Sequence, residues 1–251
     1  MLNFAIRTGK KAGEYLRANF GRDLHVEHKG RIDLVTSSDK EAQTIIVKEI
    51  EERFPDHSII AEEEGLERDR QSPFTWYIDP LDGTVNFVHG IPIFCVSIAV
   101  YKSGEPFIGV CYNPITEELF YAQKGKGAYL KKDRIRVSDT DQIVDALVVT
   151  GFPYSTEEPE ILMARFSRVL QKVQGIRRLG SAALDLCYVA GGRFDAFWET
   201  GLHPWDIAAG VVILLEAGGK ISSLNGAPFH LDGKDILASN KRIHDELSQI
   251  M

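Results

Sequence analysis

Apolar residues near helical spacing open the chain. Leu2, Ala5, Ile6, Ala12, Leu16 and Phe20 fall roughly three or four apart and Gly21 follows, so residues 1–20 predict an amphipathic helix ending at the glycine. A loop with His25, His28 and Lys29 leads to a short strand, Ile32 to Val35. Thr36-Ser37-Ser38-Asp39 offers side-chain acceptors for the free amides of a helix that runs to about Phe54, where Pro55-Asp56-His57 breaks it. Ser58–Ala61 and Phe74–Ile78 read as strands. The first ends in Glu62-Glu63-Glu64-Gly65, the second in Asp79-Pro80-Leu81-Asp82-Gly83-Thr84. From Phe94 to Leu130, apolar runs are separated by turn signals at Lys102-Ser103-Gly104, Asn113-Pro114 and Lys124-Gly125-Lys126-Gly127, which predicts a meander of strands.

After about residue 140 strands and helices alternate. Strands are expected at Ala146–Thr150, Asp195–Trp198 and Ile236–Ala238, and helices at Pro159–Val173, Ser181–Ala190, Pro204–Ala217 and the C-terminal end. A meander followed by alternation predicts two packed subdomains in one structural unit: α+β over 1–140, then α/β over 141–251.

The chain has 251 residues, 44% of them hydrophobic, enough to bury roughly 70–75% of the unfolded surface. The net charge of −7 argues against capture of nucleic acid or anionic lipid as the main activity. It leaves room for a small anionic substrate, because bound metal can invert the local field. Cys95, Cys111 and Cys187 are an odd number, far apart, with no CxxC, as suits a reducing compartment. No apolar run is long enough to span a bilayer, and Arg7, Lys10 and Lys11 interrupt any signal-peptide core. A cytoplasmic enzyme with no membrane or nucleic-acid partner is expected.

Glu62, Asp79, Asp82 and Asp206 each stand where a strand ends or a helix begins, positions that can converge on one cleft. Two carboxylates on a turn stiffened by Pro80 and relaxed by Gly83 can grip hard divalent cations, and Mg²⁺ wants oxygen ligands. Gly83 and Thr84 open a possible helix whose free amides could hold phosphate oxygens. Each residue also has a plain explanation. Asp-Pro-x-Asp-Gly is ordinary turn chemistry, Glu62–Glu64 a solvated edge, Asp206 a helix-dipole partner and Asp39 a capping residue. Glu199, Arg177 and Arg178 could be solvated charges. There is no Walker A, HExxH or GxSxG motif. Phosphatases with a phosphoaspartyl intermediate use two aspartates two residues apart near the start of the chain. Here the spacing is three, at residue 79, which favours attack by activated water.

The segment Trp76-Tyr-Ile-Asp-Pro-Leu-Asp-Gly-Thr-Val-Asn-Phe87 resembles the first signature of the inositol monophosphatase family, the Mg²⁺-dependent, lithium-sensitive-type sugar phosphatases. Trp205-Asp-Ile-Ala-Ala-Gly210 with Glu216-Ala-Gly-Gly219 resembles the second. Ala61–Gly65, Asp33–Thr36 and Gly180-Ser-Ala-Ala183 match further blocks in order. The resemblance implies a layered αβαβα sandwich and a homodimer. Two or three Mg²⁺ would be held by Glu62, Asp79, the Leu81 carbonyl, Asp82 and Asp206, with Asp79 bridging. Glu62 and Thr84, with Asp39 behind Thr84, would position the attacking water. Gly83 and Thr84 amides would hold phosphate, and Gly180, Ser181, Ala182, Glu199 and Asp206 would face the sugar or inositol. Lys29 falls in what looks like a loop carrying a basic residue and a further metal.

The expected activity is hydrolysis of inositol 1-phosphate or a similar sugar phosphate. Fructose-1,6-bisphosphatase or dual activity is the alternative, for which Arg177 and Arg178 would supply a second anion site. A non-catalytic partner-binding relative would have lost a metal ligand, and none is lost.

Overall fold

The computed structural model describes residues 1–22, 26–28, 34–153 and 159–251. Helix α1 spans Leu2–Asn19, and β1 (Val26–His28) pairs antiparallel with β2 (Leu34–Thr36). Of the loop 29–33, with Lys29, nothing lies within the described residues, nor does His25. Helix α2 (Ser37–Arg53) starts where the sequence places its cap. Thr36 accepts from the Ser38 amide, and Asp39 Oδ2 accepts from the Thr36 amide at 2.8 Å.

The strands β3 (Ser58–Ala61), β4 (Glu67–Arg68), β5 (Phe74–Asp82), β6 (Cys95–Lys102), β7 (Glu105–Asn113), β8 (Glu118–Gln123), β9 (Ala128–Leu130) and β10 (Asp133–Ile135) form one sheet. Its order is β10-β9-β8-β7-β6-β5-β3-β4, antiparallel except for the β3–β5 pair. Helix α3 (Thr84–Val88) follows β5. A second sheet, β12-β11-β13-β15-β14, holds β11 (Leu147–Thr150), β12 (Gly175–Arg177), β13 (Ala196–Thr200), β14 (Lys220–Ser222) and β15 (Asp235–Ser239). Its helices are α4 (Pro159–Leu170), α5 (Ala182–Ala190), α6 (Pro204–Glu216) and α7 (His244–Ile250).

Packing stacks these elements as α, β, α, β, α. Helices α1 and α2 cover one face of the eight-stranded sheet around Leu16, Ile46, Trp76 and Ile98. Helices α5 and α6 are buried between the two sheets, with Phe120, Val149, Leu186 and Val212 in one continuous apolar cluster. Helices α4 and α7 cover the far side of the second sheet around Val148, Val169 and Leu247. The near-continuous apolar runs of the central strands β6 and β7 follow from this, since each is buried on both sides.

Two local features position the site. Strand β5 runs four residues beyond the expected Ile78 and carries a bulge. Asp79 stands opposite Ser97 and Asp82 opposite Cys95, so three steps on β5 match two on β6. Residues three apart on a regular strand face opposite sides, and the extra residue turns both aspartates the same way. Pro80, which cannot donate to a ladder, sits in the bulge where none is required. The second feature is Gly109 on β7. A Cβ there would lie 2.4 Å from the Ala209 carbonyl oxygen, so α6 rests directly on the strand. Cys95, Cys111 and Cys187 are free and buried.

Candidate active site

A cavity of about 730 Å³ opens at the ends of β3, β5, β11 and β13 and at the starts of α5 and α6. Glu62, Asp79, Leu81, Asp82, Gly83, Thr84, Gly180, Ser181, Ala182, Glu199 and Asp206 all line it. Each comes from an element end that the fold directs there.

Glu62 closes β3, and its amide donates to the Ile78 carbonyl. The turn after it is clamped from α2: Gln43 Oε1 accepts from the Glu63 amide at 2.8 Å, and Gln43 Nε2 donates to the Glu63 carbonyl at 3.0 Å. All three glutamates border the cavity, but Glu62 is half-buried, Glu63 buried and only Glu64 exposed. Asp79 Oδ1 accepts from the Leu81 amide. Asp82 is gripped by α5. Its Oδ2 accepts from Ser181 Oγ at 2.6 Å and the Ala183 amide at 2.8 Å, and its Oδ1 from the Ala182 amide at 3.3 Å. Asp206, in the first turn of α6 after Pro204, accepts from the His203 amide at 2.7 Å.

Thr84 Oγ1 lies 2.9 Å from Asp39 Oδ1 and 3.0 Å from the Leu81 carbonyl oxygen. Asp39 is thus both a capping residue of α2 and the partner of Thr84, two readings the sequence left apart. Gly83 has φ of +99°, and a Cβ on it would meet the Ile93 carbonyl at 3.0 Å and the Gly180 carbonyl at 3.2 Å. No other residue fits that turn.

The electrostatics are those of crowded, buried acids. Burial raises Asp79 well above the usual carboxylate range, and Glu62, Asp82 and Asp206 push it further. Burial raises Asp82 to about 7 against the opposing bonds from Ser181 and Ala183. Burial raises Asp206 as well, offset by the His203 amide. Glu199 is pushed up to about 8 by burial and by Asp82, with Arg178 opposing. Such a group favours a cation among the carboxylates.

Several placements differ from expectation. Arg177 is exposed at the end of β12, its guanidinium donates to the Ile176 carbonyl at 3.1 Å, and it does not line the cavity. Arg178 does, because successive residues of extended chain point to opposite sides. The Ser181 hydroxyl and the Ala182 amide are turned onto Asp82. Sequence reasoning assigned no site role to Lys40, Phe152, Asp185 and His203, and none to Trp205 beyond its place in the second signature, yet all of them line the cavity. His203 and Trp205 stack at 4.7 Å between ring centroids. An acid in a helix's first turn, as Asp185 is, reads as a dipole partner, so nothing in the sequence marked it.

The inositol monophosphatase family model matches residues 1–250. The chain belongs to this family. Inositol-1-monophosphatase of Synechocystis sp. is 44% identical, over 100% of this chain and 88% of that protein. Nus factor SuhB of Pasteurella multocida is 42% identical, over 98% of this chain and 94% of the relative. The crystal structure of extragenic suppressor protein suhB from Bartonella henselae superposes with a TM-score of 0.95 at 39% identity, covering 99% of this chain and 96% of that one. Family membership makes the chain a phosphatase, a phosphoric monoester hydrolase. The mixed α+β architecture is that of its solved relatives.

The donor set fits a hard cation. Four carboxylates and the Leu81 carbonyl are all oxygen donors, as Mg²⁺ requires. Among the described residues no three acidic, histidine or cysteine side chains already stand close enough together to enclose an ion. Asp82 and Asp206 are turned onto backbone amides, so they would have to share their oxygens with it. No helix among the described residues is long and apolar enough to cross a membrane.

Proposed function

We propose that the protein is a Mg²⁺-dependent phosphomonoesterase that hydrolyses inositol 1-phosphate or a similar sugar phosphate by direct attack of water. The observation that carries this reading is the β5 bulge, which turns Asp79 and Asp82 to one side, toward Glu62 and Asp206. Those four residues and the Leu81 carbonyl would hold the metal. Bound there, Mg²⁺ supplies charge neutralisation for the phosphate and a more acidic water.

The chain's own residues do the rest. Asp39 takes the Thr84 proton in a hydrogen bond, which leaves the Thr84 oxygen free to accept from the attacking water. Glu62 accepts the water's other proton. The water oxygen forms a bond to phosphorus as the ester P–O bond breaks, and the leaving alkoxide takes up a proton from solvent water. Amides of Gly83 and Thr84 bind the phosphate oxygens. Glu199 orients the polyol. The spacing of Asp79 and Asp82 supports direct hydrolysis over a phosphoaspartyl intermediate. The second reading, fructose 1,6-bisphosphate, has Arg178 at the cavity in its favour, whereas Arg177 faces away.

The test is phosphate release from inositol 1-phosphate and fructose 1,6-bisphosphate side by side, with Mg²⁺ and after chelation. Mg²⁺-dependent release from the first alone is expected. Comparable release from both would establish the dual reading. Chelator-insensitive turnover would overturn the metal-dependent mechanism. The expected homodimer is checked by light scattering of the same preparation.

A further inference from the structure

Asp185 is 1% exposed, stands in the first turn of α5, and belongs to the cavity wall. Its Oδ1 has no hydrogen-bond partner among the described residues. Ser97 Oγ is the other buried side-chain oxygen in that condition, and it does not border the cavity. A buried polar atom without a partner is costly, so a group that enters from outside is the natural complement to this one.

The surroundings define that group. Glu199 and Arg178 share the wall with Asp185. Both approach only because the backbone opposite is bare. A Cβ on Gly151 would lie 2.1 Å from Glu199 Oε2, and one on Gly180 would lie 2.6 Å from Arg178 Nη1. The wall thus offers two carboxyls and a guanidinium. An anion would match only the guanidinium, and an apolar group would leave all three unpartnered. A hydroxyl both gives and accepts a hydrogen bond, and adjacent hydroxyls on a ring match adjacent groups on the wall. We infer that Asp185 is a substrate-binding residue that reads a ring hydroxyl of a polyol phosphate, together with Glu199 and Arg178. Burial, then the neighbouring Glu199 and Asp82 carboxylates, hold Asp185 well above the usual range. Burial thus favours its carboxylic acid form, which both donates and accepts.

The inference rests on the phosphatase reading, and the experiment separates the two. Wild type, Asp185→Leu and Asp185→Asn are assayed on inositol 1-phosphate and on cyclohexyl phosphate, which has the ring without the hydroxyls. In Asp185→Leu the KM for inositol 1-phosphate rises at least about tenfold, the effect of one lost hydrogen bond. Cyclohexyl phosphate turnover stays within about twofold. Asp185→Asn, a neutral donor and acceptor, restores most of the loss. Equal losses on both esters, or no change on either, would overturn the role. Asp185→Ala serves if the leucine variant does not fold. Should wild type release phosphate from neither ester, the phosphatase reading falls. Calorimetric titration of inositol 1-phosphate then decides Asp185: affinity about tenfold weaker in Asp185→Leu supports it, and equal affinity overturns it.

Discussion

Asp82 is acceptor to three donors of α5 and, in the proposed mechanism, a cation ligand as well. Asp82→Asn keeps the shape but places an amide among those donors. Phosphate release should fall more than about 100-fold, while circular dichroism stays native and stability drops by about 1–3 kcal/mol. Wild-type turnover in that variant would remove Asp82 from the chemistry. Thr84 and Asp39 act as one unit through their 2.9 Å contact. Thr84→Ala and Asp39→Asn should each lower kcat by about 10²–10⁴, with KM changed little. The double variant should lose barely more than the worse single one, because the second change removes a contact already broken. Multiplicative losses would mean that the two residues act separately.

At the level of elements, the site depends on joints. Gln43 ties α2 to the turn that presents Glu62 through two hydrogen bonds to Glu63. Gln43→Ala removes both of these bonds from the buried Glu63 backbone, whose carbonyl keeps its bond from the Leu66 amide. A loss of about 1–3 kcal/mol is expected in denaturant titration, with a higher Mg²⁺ concentration for half-maximal turnover. Unchanged Mg²⁺ dependence would show that the clamp serves the fold alone. Such joints explain what the sequence displayed and what it hid. Helices α1, α2 and α6 were legible because a wide apolar stripe, a cap or an N-terminal proline marks them. Strands β12 and β14 are three residues long, and their partners alone make them strands. The last residues of β5 were hidden because Pro80 reads as a strand terminator unless a bulge absorbs it. The carboxylates were visible as residues, but the bulge that gathers them was not. Arg177 and Arg178 were indistinguishable until register fixed which one faces inward.

For the whole molecule, a close seam runs between β7 and α6. Gly109→Ala would set a methyl 2.4 Å from the Ala209 carbonyl oxygen and push the helix that carries Asp206 outward. Calorimetry should show a loss of about 1–3 kcal/mol, and activity should fall beyond what that loss explains. A second global property is the acid limit of stability. His244 is 1% exposed, with Ser222 Oγ 2.9 Å from Nε2 and Ser239 Oγ 2.8 Å from Nδ1. Burial, then Lys220, lowers it from 6.5 to about 4, against the opposing Asp245. The unfolded chain therefore binds the extra proton first, and stability rises with pH across this window. As pH falls from about 6.5 to about 4, at most about 3 kcal/mol should be lost. Urea midpoints measured at several pH values should show this slope, flattened in His244→Asn. The stacking of two sheets around α5 and α6 has a temporal consequence too. Asp82 meets Ser181 across 99 residues of chain, and Asn86 meets Leu179 across 93. Closing loops of that length comes late, after the local meander has paired. During refolding, secondary structure should return well before enzymatic turnover, and a nascent chain that has not yet released α6 should be structured but inert.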